Sequence, residues 1–334
     1  MSRPRPRLKE IAEATGFSVN TVSLALRASD RIPEKTRDLI MQEAERQNYF
    51  PNQIARSLTK RATHTIGLVL TDIMNPTITL TARSIERLLA NAGYGVMFAT
   101  SDNSLENEKK AMARFQSHQV DGIIVYPTNR SKIRHIQAAR DAGFPVLALA
   151  DLPDSGLDVV AMDDRVGAET AVMHLIARGH KNIVLLDGAF GSGNTEKFEG
   201  AQNALKRAKN GAASIAVVDP KGNSSAHGYA VAATILKQTP RPTAVYATTD
   251  ALAIGVARWC LENEVSIPED LAIVGCDNSE VSEFGSTPLT TINYASDEVS
   301  QKAVERIIAL IESETRLAPK TLLFEPRIVV RKSS

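Results

Sequence analysis

From residue 65 onward, short runs of β-branched and aliphatic residues alternate with segments long enough for one helix each, and the rhythm holds almost to the end of the chain. The runs are TIGLVLT at 65–71, GVMFAT at 95–100, DGIIVY at 121–126, PVLALA at 145–150, NIVLLDG at 182–188, SIAVVD at 214–219, TAVYATT at 243–249 and LAIVGCD at 271–277. Consecutive parallel strands need a crossover, and the intervals are helix-sized, so the pattern predicts a doubly wound α/β sheet, with two such sheets in sequence. Ligands of these sheets bind beyond the carboxyl ends of strands. That singles out Asp72, Asn75, Ser101, Asp102, Asp151, the loops after Asp187 and Asp219, Asp250 and Asp277.

Residues 1–63 follow another rhythm. Leu8, Ile11 and Ala12 fall on one helical stripe; Gly16 follows where a tight turn needs positive φ, and Ser18 is a good cap for a second helix. In that helix Val22, Ala25 and Leu26 face a core, while Asn20 and Leu24 share the opposite side. A third helix over about Pro33 to Gln47 brings Leu39, Ile40 and Ala44 to close it. The outline is a helix-turn-helix, a shape that either reads DNA or caps a larger protein. Charge favours the first. The net charge of the chain is only +1, yet residues 1–63 hold twelve Lys plus Arg against seven Asp plus Glu, leaving 27 against 31 in the rest. A basic head on a mildly acidic body suits a nucleic-acid contact confined to one end.

Other classes recede. The longest apolar runs are far shorter than a membrane span needs, and MSRPRPRLKE has no signal-peptide pattern, so a cytoplasmic protein is expected. Cys260 and Cys276 lack metal-ligand spacing and read as buried, reduced residues; the six histidines are scattered, and no metal site is expected. GAFGSGN at 188–194 is glycine-rich after a strand, but its glycines are not in dinucleotide order and no G-K-[ST] follows, so no cofactor is expected. Spacing offers no catalytic constellation. Between head and body, YFPNQIARSLTKRATH at 49–64 has room for about one and a half helical turns, marginal without a partner chain or DNA. The expected division is a head at 1–48, a linker at 49–63 and a body at 64–334.

The residues of these segments resemble the LacI/GalR family of bacterial transcription regulators. AEATGFSVNTVSLAL, PEKTRDLI and YFPNQIARSL carry the likeness in the head. IGLVLTDIMNPT, DGIIVYP, HLIARGHKNIVLLDG, RPTAVYATTDALAIG, IPEDLAIVGCDNSE and PLTTINY continue it in family order through the body. The resemblance implies an all-α helix-turn-helix head and an α/β core of two doubly wound parallel-sheet lobes like a periplasmic binding protein. The N-lobe would comprise about 64–160 and 291–320, the C-lobe about 161–290 and 321–331.

It further implies a homodimer on a pseudo-palindromic operator, with Val19, Asn20 and Leu24 at base edges in the major groove, Thr21, Ser23 and Arg27 toward phosphates, and the cap residue Ser18 among the DNA-binding residues. The stiff Arg-Pro arm with Arg5 and Arg7 would reach the backbone, and Leu58, supported by Asn52, Ala55 and Arg56, would wedge into the minor groove. Leu58 is otherwise a linker anchor, and Leu24 is either tolerated surface or a reader of thymine methyls. The implied effector pocket holds Thr77, Ile78, Asp151, Gly191, Gly193, Lys197, Asn223, Asp250 and Asp277. Asp250 is equally suited to capping a helix. The chain has no aromatic near Thr77 and a lysine at 197 where the family commonly has arginine, which weakens ring stacking and leaves a point charge for a sugar acid or sugar phosphate. The implied function is a ligand-controlled regulator, most often a repressor, and not an enzyme; the alternatives are a cytoplasmic sugar-binding protein and a sugar-acting enzyme.

Overall fold

The computed structural model describes residues 6–27, 29–49, 62–208, 213–294 and 296–334. Two compact units divide the chain, Met1–Thr63 and His64–Ser334. In the head, α1 (Leu8–Thr15), α2 (Val19–Ala25) and α3 (Glu34–Arg46) close around Ile11, Ala12, Val22, Ala25, Ile32, Ile40 and Ala44. Gly16 ends α1 at φ 72°, a left-handed conformation that costs a residue with a Cβ about 1–2 kcal/mol. The Ser18 hydroxyl then caps α2 by accepting from the Thr21 N–H at 3.1 Å. Arg37 of α3 donates to the carbonyls of Ser29 and Ile32, tying down the turn between α2 and α3. Leu39, expected in this core, lies outside it with about half its surface exposed, because Ile40 takes the inward position on α3.

The second unit runs β1 (Thr65–Leu70), α4 (Pro76–Asn91), β2 (Gly95–Thr100), α5 (Leu105–Ser117), β3 (Gly122–Val125), α6 (Arg134–Asp141), β4 (Val146–Ala148) and β5 (Asp158–Met162). It continues through α7 (Asp164–Ala177), β6 (Asn182–Leu186), α8 (Glu196–Arg207), β7 (Ser214–Val218), α9 (Ser225–Leu236), β8 (Ala244–Ala247), α10 (Asp250–Glu262) and β9 (Ala272–Cys276). It ends with α11 (Glu280–Phe284), β10 (Thr290–Asn293), α12 (Ser296–Glu312), β11 (Thr321–Phe324) and β12 (Arg327–Val329). Each of the eight expected strands is present.

Two sheets result. The first has the order β11-β5-β4-β3-β1-β2 and is parallel throughout; the second, β12-β10-β9-β8-β6-β7, is parallel except for its antiparallel β10–β12 edge. Both faces of each sheet are covered, which is why the inner strands read as unbroken apolar runs. Phe115 of α5 and Ile136 of α6 pack on one face of the first sheet, Ile85 of α4 and Ile307 of α12 on the other. Leu175 and Ala201 cover one face of the second, Ile235 and Val256 its reverse. Cys260 and Cys276 are free thiols buried in these layers.

The lobe boundaries need two corrections. Residues 291–293, expected in the N-lobe, belong to β10, which pairs with β9 of the second sheet. Residues 321–324, expected in the C-lobe, pair in parallel with β5 of the first sheet, and the chain enters the second lobe for the last time only at β12. The cause is Asp158, 2% exposed at the start of β5, which accepts from the Arg306 side chain of α12 at 2.6 Å and from the Lys320 N–H at 3.0 Å. This buried carboxylate fixes α12 and the entry to β11 beside β5.

Both sheets place the strand-order reversal at their first strand: β1 lies between β3 and β2, and β6 between β8 and β7. A crevice opens at the carboxyl ends of strands at such a point. Here the residues after β1, β3, β6 and β8 border one cavity between the lobes.

Candidate nucleic-acid interface and ligand cleft

On the head, Ser18, Val19 and Asn20 are exposed, with Val19 the most exposed apolar side chain of α2. Arg7 and Arg27 are exposed as well, and Thr21 and Ser23 partly so. The Ser18 and Thr21 hydroxyls are bonded to each other at 2.9 Å. Leu24 does not stand opposite the core as its spacing suggested. It is half-buried and packs against the head's apolar cluster beside Leu8 and Leu26, because the turn after so short a helix folds back onto it. Arg5, Asn52, Ala55, Arg56 and Leu58 lie outside the described residues.

The cleft of the second unit holds a cavity of about 220 Å³. From the first lobe come the segment at 71–81 and the loop after β3; from the second come the loops after β6, β8 and β9. Asn75 caps α4 by accepting from the Thr77 and Ile78 N–H groups, with Pro76 in the first turn where no donor is needed, and this sets Thr77 and Ile78 on the wall. Gly188 makes room on the opposite side. A Cβ there would sit 2.6 Å from the Gly222 carbonyl oxygen and 2.5 Å from the Asn223 amide oxygen, so only glycine lets Asn223 approach.

A charged cluster forms one end of the cavity. Asp164, the first residue of α7, accepts from the Arg130 guanidinium at 2.6 Å, from the Lys197 ammonium at 2.9 Å and from the Tyr294 hydroxyl. Arg130 also lies 3.0 Å from Glu196, the first residue of α8. Burial alone would raise the Asp164 pKa, but Lys197, Arg130 and Tyr294 together hold it far below the usual carboxylate range. Burial opposes charge on Arg130 and Lys197 too, and the facing carboxylates raise both nonetheless. Two cations are thus matched by two carboxylates, each at a helix N-terminus where negative charge is favoured.

The other acids of the cavity are of a different kind. Asp187 accepts from the Ala189 N–H and the Thr248 hydroxyl, and burial raises its pKa. Asp277 follows β9 with φ 127°, and burial, reinforced by the Asp250 charge, pushes it up to about 8 despite a hydrogen bond with Thr77. Tyr126 is pushed up to about 12 by burial.

Both units have known counterparts. Residues 7–52 match the model for bacterial regulatory proteins of the lacI family, and residues 172–334 match the periplasmic binding protein-like domain. The ribose operon repressor of Bacillus subtilis (strain 168) is 30% identical over 308 residues, covering 92% of each chain. The chain belongs to the LacI family. It is accordingly a DNA-binding, ligand-responsive transcription regulator. The lac repressor dimer bound to operator and an anti-inducer shares the fold at a TM-score of 0.86, with 24% identity over 99% of both chains. A LacI family regulator from Enterococcus faecium with bound ribose superposes at a TM-score of 0.70, with 27% identity over 81% of this chain and 98% of that one.

Of the pocket residues that LacI family resemblance implied, Thr77, Ile78, Lys197, Asn223 and Asp277 line the cavity. The others stand behind it. Asp151 is buried in an ion pair with Arg165. Gly191 and Gly193 belong to the 3₁₀ turn Phe190–Ser192 and its cap. Asp250 neither lines the cavity nor caps α10, the cap being Thr249. Its carboxylate accepts from the Ser279 N–H and hydroxyl and from the Thr291 hydroxyl, which holds the loop bearing Asp277 against β10. Arg130, Asp164, Asp187, Tyr126 and Tyr294 are wall residues that sequence reasoning did not assign. Asp187 carried a signal, following a strand; Arg130 and Asp164 gave none, since their roles depend on partners 33 and more positions away.

Proposed function

We propose that the protein is a repressor that binds a pseudo-palindromic operator as a homodimer and is switched by one small, uncharged sugar held between its lobes. The balance of the charged cluster carries the ligand assignment. Arg130 and Lys197 are matched by Asp164 and Glu196, so a sugar acid or sugar phosphate finds no free cation among the described cavity-wall residues, while the hydroxyls, amides and carboxyl groups around the remaining space suit sugar hydroxyls. The cavity equals about seven waters at liquid density, the room of one sugar ring. The ribose-bound relative supports a ligand of this class.

Dimerisation is supported by the operator-bound dimer of the lac repressor and by exposed apolar residues on both lobes, among them Met74 and Phe98 in the first and Val281 and Phe284 in the second. The cavity senses its ligand and does not transform it, and the protein works in the cytoplasm beside its operator. No helix among the described residues is long and apolar enough to cross a membrane.

On DNA, Arg5, Arg7, Thr21, Ser23 and Arg27 serve the backbone, Ser18 caps the reading helix, and Asn52, Ala55, Arg56 and Leu58 serve the minor groove. Base reading falls to Asn20, suited to a bidentate contact with adenine, and to Val19, which replaces Leu24 as the apolar contact for a thymine methyl. Asn20→Ala is expected to weaken binding to the preferred operator by about 1–3 kcal/mol and to relax choice at one position of each half-site. Selection from random duplex DNA, followed by binding to single-base variants, reads both effects. Operator affinity falling steeply with salt and changing with a monosaccharide is the expected behaviour; sugar turnover without DNA affinity would overturn the reading.

A further inference from the structure

The wall of the cavity is divided by chemistry. From the second lobe come polar side chains, among them Asp187, Asn223, Thr248 and Asp277. The first lobe contributes Ile78 of α4, Leu149 after β4, Met162 at the end of β5 and Val299 of α12, which belong to one apolar cluster with the core beneath them. Ile78 and Met162 are half-buried and border the remaining space, while Leu149 and Val299, each 5% exposed, close it from below. A hydroxyl pressed against this patch would lose its water and find no partner, whereas a methyl group gains by leaving water. We propose that the effector is a 6-deoxy sugar, whose ring hydroxyls meet the second lobe and whose methyl group lies on Ile78, Met162, Leu149 and Val299.

Strand order keeps the polar groups of the first lobe away from the patch. In the first sheet β4 and β5 lie on one side of β3, and β1 and β2 on the other, so Thr71 and Asn103, which follow β1 and β2, stand apart from Leu149 and Met162. Other polar side chains of this wall are already engaged within the protein. Thr81 donates to the Thr77 carbonyl at 2.8 Å and is hydrogen-bonded with the Tyr126 hydroxyl. Thr128 is bonded to Ser101 at 2.8 Å, and Arg130 is ion-paired with Asp164 and Glu196. The shape of the patch suits a single substituent. Four aliphatic side chains converge on it from two strand ends and two helix starts, a corner rather than a plate for the flat face of a sugar ring. A pentose leaves that corner empty, and an ordinary hexose puts its 6-hydroxyl there.

The inference rests on the sugar reading of the cavity, and the two can fail separately. Full-length protein is titrated by calorimetry with L-rhamnose, L-fucose, D-fucose and 6-deoxy-D-glucose, each beside the hexose and the pentose of the same ring configuration. For L-rhamnose these counterparts are L-mannose and L-lyxose. In the series that binds, the 6-deoxy sugar is expected to bind about tenfold to a hundredfold tighter than either counterpart. Ile78→Thr combined with Met162→Gln keeps the shape of the patch roughly as it is and makes it polar, so the preference over the hexose is expected to shrink toward one. A hexose or pentose that binds as well as its 6-deoxy counterpart overturns the methyl assignment and leaves the sugar reading intact. A preference that the double variant leaves unchanged overturns the seat given to the methyl group. A wild type that binds none of these sugars overturns both readings.

Discussion

Asp164→Ala is expected to lower the stability of the second unit by about 3–5 kcal/mol, the cost of leaving buried charge uncompensated. Asp164 is 6% exposed and is the only carboxylate among the described residues paired with Lys197, so its removal strands that ammonium in the cleft while Arg130 retains Glu196. The Tyr294 hydroxyl loses its acceptor in the same step. Asp164→Asn keeps the shape and one acceptor and should fall between. Adding Lys197→Met to Asp164→Ala should recover part of the loss, since the stranded charge is then gone. Because the Asp164 pKa is depressed on folding, its stabilisation is complete above the ordinary carboxylate pKa, near 4, and is lost as pH falls below it. Urea unfolding at neutral and acid pH measures both effects. A loss below about 1 kcal/mol at neutral pH, typical of a surface pair, would mean that the cluster does not hold the cleft.

The second large effect concerns Asp277, and its sign is opposite. Its pKa rises from 3.8 to about 8, so the folded chain keeps a proton that the unfolded chain releases. Stability from this group therefore declines as pH rises between the two values and is level above them. A sugar that donates hydroxyls to the carboxylate binds the ionised form, so binding below pH 8 releases a proton. Affinity should then climb by up to about tenfold per pH unit until it levels off near 8. Calorimetry in buffers of different ionisation heat detects the released proton. Asp277→Asn should flatten the profile, weaken the sugar, and stabilise the protein at alkaline pH by about 0.5–2 kcal/mol, since asparagine keeps the neutral form and tolerates φ 127°. Asp187 also carries a raised pKa, and a pH dependence that survives in Asp277→Asn would point to it instead.

Much of this architecture is legible in the residues. A strand buried on both faces must be apolar along its whole length, and β1, β3, β6, β8 and β9 declare themselves by that alone. The last strands of the second sheet do not. Thr290 and Thr291 of β10 are buried polar residues whose hydroxyls serve Arg331 and Asp250, and Arg327 opens β12. The same limit applies to the cleft. A residue that follows a strand is marked as a wall candidate by topology, which found Asn75, Asp277 and the loop that bears Asn223, while Thr77 came from the family resemblance, and Asp151 and Asp250 follow strands but turn to ion pairs and loop anchoring. Leu24 shows the cost of reading a short helix by periodicity, because in a helix of seven residues the last turn is placed by the loop into α3 as much as by the helix itself.

The three passages of the chain between the lobes, after β5, after β10 and before β12, have a consequence for synthesis. The first sheet is completed by β11 and the second by β10 and β12, so both sheets wait for residues 290–329 to leave the ribosome. Until then a nascent chain presents β5 and β9 as open, apolar edges, the kind of surface on which chains associate wrongly. Neither lobe is a unit that can finish before the other. Truncation near residue 285 should thus yield two incomplete sheets, whereas a cut in the linker leaves the larger unit whole.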